Sequence, residues 1–146
     1  MATSTLVQNL SGTGVVSNRR QTETFLATVA IVAGDIGKIA MIDAGKTGSD
    51  KLLYVRVATA VAGGNGKAVG VIQNAAAAGG KVELVVAGYA ATVQSTSSVT
   101  SGHILTASPA SHAGKVLQAI ASDTARPFGV AITTSTSPAC WIYPQF

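Results

Sequence analysis

The feature that most constrains this chain is that its second half repeats its first. Gly34-Asp35-Ile36 is followed by Lys51-Leu52-Leu53, then Gly70-Val71-Ile72, then Val82-Glu83-Leu84-Val85. Gly102-His103-Ile104 is followed by Lys115-Val116-Leu117, Gly129-Val130-Ala131 and Trp141-Ile142-Tyr143. Each copy is a series of short apolar stretches punctuated by glycine. Neither copy could bury enough surface alone, so the two are expected to pack into one β unit. The second copy is shorter, and the shortfall falls in the loops 44–50 and 61–67 of the first. Titratable residues at matched positions differ, Asp35 against His103 and Glu83 against Ile142, so the repeat carries a scaffold and no reacting group.

The pattern predicts strands at 24–32, 36–43, 51–58, 68–73, 81–87 and 89–94, then near 103–107, 115–120, 128–133 and 139–143. Residues 74–78 hold four alanines, which allow one helical turn before Gly79-Gly80 ends it. The prolines, at 109, 127, 138 and 144, fall at strand edges or turns, where a missing N–H is tolerated. No stretch of ten or more residues carries a helical period. The expected fold class is all-β, a small barrel or sandwich. At 146 residues the chain reads as one domain, 22–146, with pseudo-repeats at about 24–94 and 101–146 joined by a Ser/Thr linker at 95–101. Residues 1–21 are polar and rich in Gly, Ser and Thr, and read as an extended N-terminal arm.

Charge is scarce. Only 11% of residues are Asp, Glu, Lys or Arg, where about 25% is usual. Hydrophobic residues make up 47% and aromatics only 5%, so the chain buries itself with small side chains. A weakly charged surface of this kind is prone to association, and is expected to be covered by other protein. A membrane is not an expected partner. The longest apolar stretch, 25–34, is far short of the roughly 18–20 residues of a spanning helix, and residues 1–10 lack a signal-peptide pattern. Nucleic acid is not expected either. The net charge of +4 comes from scattered basic residues, with Arg19-Arg20 the only adjacent pair. Cys140 stands alone between Ala139 and Trp141, which excludes an intrachain disulfide and suits a small buried hydrophobe.

Candidate chemistry is thin. Gly45-Lys46-Thr47 ends like a phosphate-binding loop, but the first glycine of that motif should stand where Ala40 does, and Gly48-Ser49-Asp50 reads as a loop, so a solvated turn fits better. His103 and His112 have no Cys or carboxylate at metal-ligand spacing from both. Asp35, Asp50 and Asp123 stand in turn-like contexts, where a carboxylate bonds nearby backbone N–H groups. Glu83 alternates with Val82 and Leu84, which places it on a wet or interface face. No cofactor, metal or enzymatic activity is expected. The candidate site is the arm. Leu6, Val7, Leu10, Val15 and Val16 are its isolated apolar residues, suited to pockets on a partner to which the arm adds as a strand. Arg19 and Arg20 join the arm to the first strand, either as a solvated hinge or as a clamp on carboxylates of a neighbouring subunit.

A polar arm followed by a small Ala/Gly/Val/Thr-rich β unit of two copies resembles the capsid decoration, or cement, proteins of tailed phages. The likeness lies in Gly34-Asp35-Ile36-Gly37, in Gly70-Val71-Ile72 with Gly129-Val130-Ala131, and in Val82-Glu83-Leu84-Val85-Val86-Ala87-Gly88, and spans about residues 24–146. The resemblance implies a homotrimer on the outer surface of an icosahedral head. It would bridge major capsid protein subunits after expansion, with the arm as the gripping element. Two other readings share the composition. One is a tail, fibre or other repeat-built structural protein. The other is a carbohydrate- or host-surface-binding β module, which needs an aromatic platform that Tyr54, Tyr89, Trp141 and Tyr143 are too scattered in sequence to argue.

Overall fold

β-branched residues and glycines, in runs too short for a helix, pair as strands. The computed structural model describes residues 19–58, 68–107, 112–119 and 127–144, the side chains of 49–51 excepted. Among these it holds strands β1 (Arg20–Ala27), β2 (Ile39–Ile42), β3 (Tyr54–Val57), β4 (Ala68–Ile72), β5 (Lys81–Ala90), β6 (Ile104–Ala107), β7 (Val116–Gln118), β8 (Gly129–Ala131) and β9 (Cys140–Ile142). The described residues contain no α-helix, only two 3-10 turns, at Ala33–Asp35 and Gly48–Leu53. The chain is all-β.

The sheet order is β1-β3-β2-β4-β5-β9-β8-β6-β7, with β1 also paired to β5. The first five strands therefore close into a barrel, which leaves them no free edge. β1 runs antiparallel along β5 from Arg20 opposite Gly88 to Leu26 opposite Lys81, with a bulge between Gln21 and Thr22. Its far end runs parallel to β3.

The repeat is present, but its register is set by hydrogen bonds and differs from the sequence alignment. The Gly37 N–H donates to Ile72 O and Lys38 O accepts from Ile72 N–H; Gly102 and His103 make the same two bonds with Ala131. Gly37 and Gly102 also share a left-handed φ, 85° and 84°. Gly37, not Gly34, is thus the partner of Gly102. Residues 32–34, which lead into and form most of the 3-10 turn Ala33–Asp35, are extra in the first copy, and they displaced the sequence match. The Thr28 N–H donates to Val55 O as Thr96 N–H does to Val116 O, and Ile31 exchanges bonds with Ala76 as Val99 does with Ser135. Val55, not Leu52, is therefore the counterpart of Val116. A Cβ on Gly70 would strike Val85 O, and one on Gly129 would strike Trp141 O. That close approach makes Val85 the counterpart of Trp141, and Val86 that of Ile142.

By these matches the second copy begins well before residue 101. Ser95 corresponds to Ala27, and Ser95 forms a parallel bridge to Val116 just as Ala27 faces Val55. Val116 N–H donates to Gln94 O, and β9 pairs with β5 at Gly88–Ala90. The segment continuing β5 through residues 88–96 thus does for the second copy what β1 does for the first. It closes β9, β8, β6 and β7 into a second ring. The stretch read as a linker, 95–101, holds two buried ring residues, Ser95 and Val99.

Two packed clusters follow this plan. Phe25, Ala27, Ile31, Ala40, Val55, Val69, Ile72, Val82, Leu84 and Val86 fill barrel 1. Their counterparts Val93, Val99, Leu105, Val116, Phe128, Ala131, Cys140 and Ile142 form the second cluster, with Ser95 and Pro138 also buried. Several expected boundaries change. The first strand ends at Ala27, residues 51–53 belong to a 3-10 turn, Ala76 makes a bridge to Ile31 instead of a helical turn, and β5 passes through Gly88 unbroken.

Candidate interaction surface

The apolar arm residues Leu6, Val7, Leu10, Val15 and Val16 lie outside the described residues. Arg19 and Arg20 are described, and both lie against β5. Arg20 is the first residue of β1, opposite Gly88, and Arg19 O accepts the Tyr89 N–H at 2.9 Å. A side chain on Gly88 would collide with Arg19 O, so glycine is what lets the backbones approach there. Both arginine side chains are exposed. Arg19 and Arg20 are therefore fixed on β5 beside the junction of the two barrels. An open cleft of about 420 Å³ lies next to it, lined by Gln21, Glu23, Val86, Ala87 and Pro144.

The residues with chemical potential serve the fold. Asp43 is buried and accepts the Gly45 N–H at 3.0 Å. That bond, against an opposing effect of burial and with help from the Thr28 hydroxyl, Arg56 and Lys46, holds its carboxyl below the ordinary value. Lys46 lies 4.5 Å from the centre of the Tyr54 ring. Gly45-Lys46-Thr47 is thus a turn held at Gly45 and Lys46, and a short 3-10 turn follows it. Burial alone would raise the Asp35 carboxyl. The Lys38 ammonium at 2.8 Å and the Val32 N–H at 3.0 Å outweigh burial and lower it. Glu83 is exposed, as its alternation predicts. Burial pushes the Cys140 thiol up to about 12, and its Sγ lies 3.4 Å from Pro138 O. Among the described residues no group of three His, Cys, Asp or Glu could hold a metal ion. Asp50 and Asp123 fall outside the side chains described.

What the molecule offers instead is apolar surface in a defined row. On barrel 1, Val85 of β5, Val71 of β4 and Ile39 of β2 stand side by side on the outer face, and all three are buried. They join the cluster of barrel 2. Ile39 N–H donates to Gly114 O at 2.6 Å, and Gln94 reaches back to Gly37 O, Gly34 O and Ile36 O at 2.8–2.9 Å. Covering each such side chain contributes about 1.5–3 kcal/mol. On barrel 2 the corresponding row is Trp141 of β9, Val130 of β8 and Ile104 of β6, extended by Tyr89 of β5 opposite Trp141. Here Tyr89, Trp141 and Val130 are half-buried and Ile104 is 45% exposed. Leu52 and Leu53 of barrel 1 are also exposed, at 68% and 49%.

Sequence reasoning missed this row. Its signal was present, since Trp141 aligns with a buried valine, but only the corrected register reveals that. No protein-family model matches the chain, and no curated protein matches it.

Proposed function

We propose that this chain is a structural virion protein that coats the outside of an icosahedral phage head. It stabilises the expanded shell by bridging major capsid protein subunits, and it acts as a homotrimer. The observation that supports this most is the surface. Among the described residues there is one salt bridge, Asp35–Lys38, while Val29, Val32, Leu52, Leu53 and Ile104 expose large apolar side chains. Such a surface suits burial against protein.

The mechanism is linkage. A protein that binds only the expanded shell stabilises that state by its binding free energy, summed over many sites. Arg20 begins β1 on a fixed backbone, so a strand-adding arm would be tethered to a rigid base, with Arg19 and Arg20 free to meet carboxylates. Removing residues 2–18 keeps β1 and both barrels. The truncated protein is expected to fold and to stop coating purified expanded heads, measured by co-sedimentation. Coating with unchanged affinity would remove the arm from the mechanism, and a full chain that ignores heads would end the proposal.

One observation favours the carbohydrate-binding reading. Tyr89 and Trp141, distant in sequence, are direct cross-strand neighbours. Quenching of Trp141 fluorescence by glycans, without head binding, would select it.

A further inference from the structure

The open row of Ile104, Val130, Trp141 and Tyr89 has a fifth position in register. Arg20 stands opposite Gly88, so Arg19 stands opposite Tyr89, and Arg19 O accepts the Tyr89 N–H at 2.9 Å. Residues 1–18 are joined to Arg19, so that segment starts at the Tyr89 end of the row. We infer that residues 10–18 lie across the open row of their own chain, with Val15 and Val16 over Tyr89 and Trp141, and Leu10 at Ile104.

The dimensions agree. Neighbouring strands lie about 4.8 Å apart, so the row runs about 19 Å from Arg19 to Ile104. An extended chain advances about 3.3 Å per residue, which carries Val16 about 10 Å from Arg19, the distance of Trp141. Leu10 reaches about 30 Å, which leaves slack for the bend that turns the chain from the line of β1 across the row. The chemistry agrees as well. Residues 1–18 hold no Asp, Glu, Lys or Arg, so laying them on an apolar face buries no charge. The matching row of barrel 1, Val85, Val71 and Ile39, shares a cluster with Ala90 and Val93 of the stretch that continues directly from β5. One row of this molecule is thus already covered by the chain that adjoins it.

Fixing the backbone of residues 10–18 opposes the burial of three aliphatic side chains, so the seat is shallow and a competing partner empties it. If the head-coating reading holds, gripping the shell draws these residues off the row and uncovers Trp141. The seat belongs to the free chain. It is tested without heads, so its failure and the failure of the head-coating reading are told apart.

The test uses the full chain with Val16→Cys carrying a nitroxide spin label, a contact quencher of indole fluorescence. The label goes to position 16 alone, because the one native thiol, Cys140, is buried. Trp141 is the single tryptophan, so its emission reports the row directly. The label should remove about half or more of that emission, since contact means approach to about 4–4.5 Å. In an unlabelled chain, Val15→Asp with Val16→Asp should shift the emission to the red and raise iodide quenching about twofold, as a half-buried indole becomes exposed. Circular dichroism checks that both barrels stay folded. Labelled chains that also carry Trp141→Phe, refolded together with unlabelled chains, should leave the emission of the latter unchanged. A label that leaves Trp141 at full emission overturns the inference, as does an aspartate pair without effect. Loss of emission in the refolded mixture overturns it too, since the row would then be covered by a second copy. So does a Trp141 that iodide quenches equally in the unaltered and aspartate chains until heads or a glycan are added, because the row would then be empty in the free chain.

Discussion

Barrel 1 holds its large ring at Phe25 on β1 and has Val69 on β4, whereas barrel 2 has Val93 in the first of these positions and Phe128 in the second. The exchange recurs elsewhere. Ala40 and Ile72 of barrel 1 correspond to Leu105 and Ala131 of barrel 2. In the second case the large residue moves between the adjacent strands β2 and β4, and in the first it moves between β1 and β4, which flank β5. A close-packed interior has a fixed volume, so bulk can be redistributed between strands while the backbone plan stays the same. Positions set by backbone contact do not drift in this way, and Gly70 and Gly129 are both glycine.

The sharpest way to break this comparison is at those two glycines. Gly70→Val and Gly129→Val each drive a side chain into a carbonyl of the neighbouring strand. Both are expected to cost more than about 4 kcal/mol and to abolish the cooperative thermal transition. If one barrel tolerates the change, the two are not built alike.

A smaller effect tests the exchange of bulk. Phe25→Val alone should cost about 2–4 kcal/mol and Val69→Phe alone about 1–3 kcal/mol. Together they copy the packing of barrel 2, and denaturant titration should show the double variant less destabilised than the sum by 1 kcal/mol or more, roughly the scale of coupled core sites. Simple additivity would refute the positional match.

The smallest effect separates the barrels by pH. Asp35 and Asp43, the carboxyls held below their ordinary values, both belong to barrel 1, and Thr100 stands in barrel 2 where Asp35 stands in barrel 1. A lowered carboxyl contributes stability that is complete above its unfolded value, about 3.9, and is lost as pH falls through the folded value. Barrel 1 amides should therefore lose hydrogen-exchange protection before those of barrel 2 below about pH 4. Asp35→Asn should narrow that gap while costing only about 0.2–1 kcal/mol at neutral pH, since the pair with Lys38 is partly exposed. Equal acid sensitivity of the two barrels would contradict the assignment.

The repeat, the strands and the all-β class were legible in the sequence because each depends on local pattern, namely short β-branched runs, glycine punctuation and no helical period. The turn role of Asp35 and the burial of Cys140 were legible for the same reason. The alignment of the copies was not. With 16 glycines in the chain, Gly34 and Gly37 are equally good candidates to match Gly102, and only the bonds to Ile72 and Ala131 choose between them. The Ser/Thr composition of 95–101 pointed to a linker, yet Ser95 is buried, its hydroxyl bonded to Ser97 O and Thr136 O. The open row escaped notice because its members come from four strands.

What the sequence determined by itself is that this chain forms short strands of small residues, with glycines where backbones must nearly touch and too little charge to hold neighbours away. Tertiary structure alone decided that β5 serves both barrels, that one outer row is sealed and the other open, and which glycine matches which. The reason is physical: strand composition is a local property, but the choice of pairing partner is made by hydrogen bonds and burial between segments far apart in the chain.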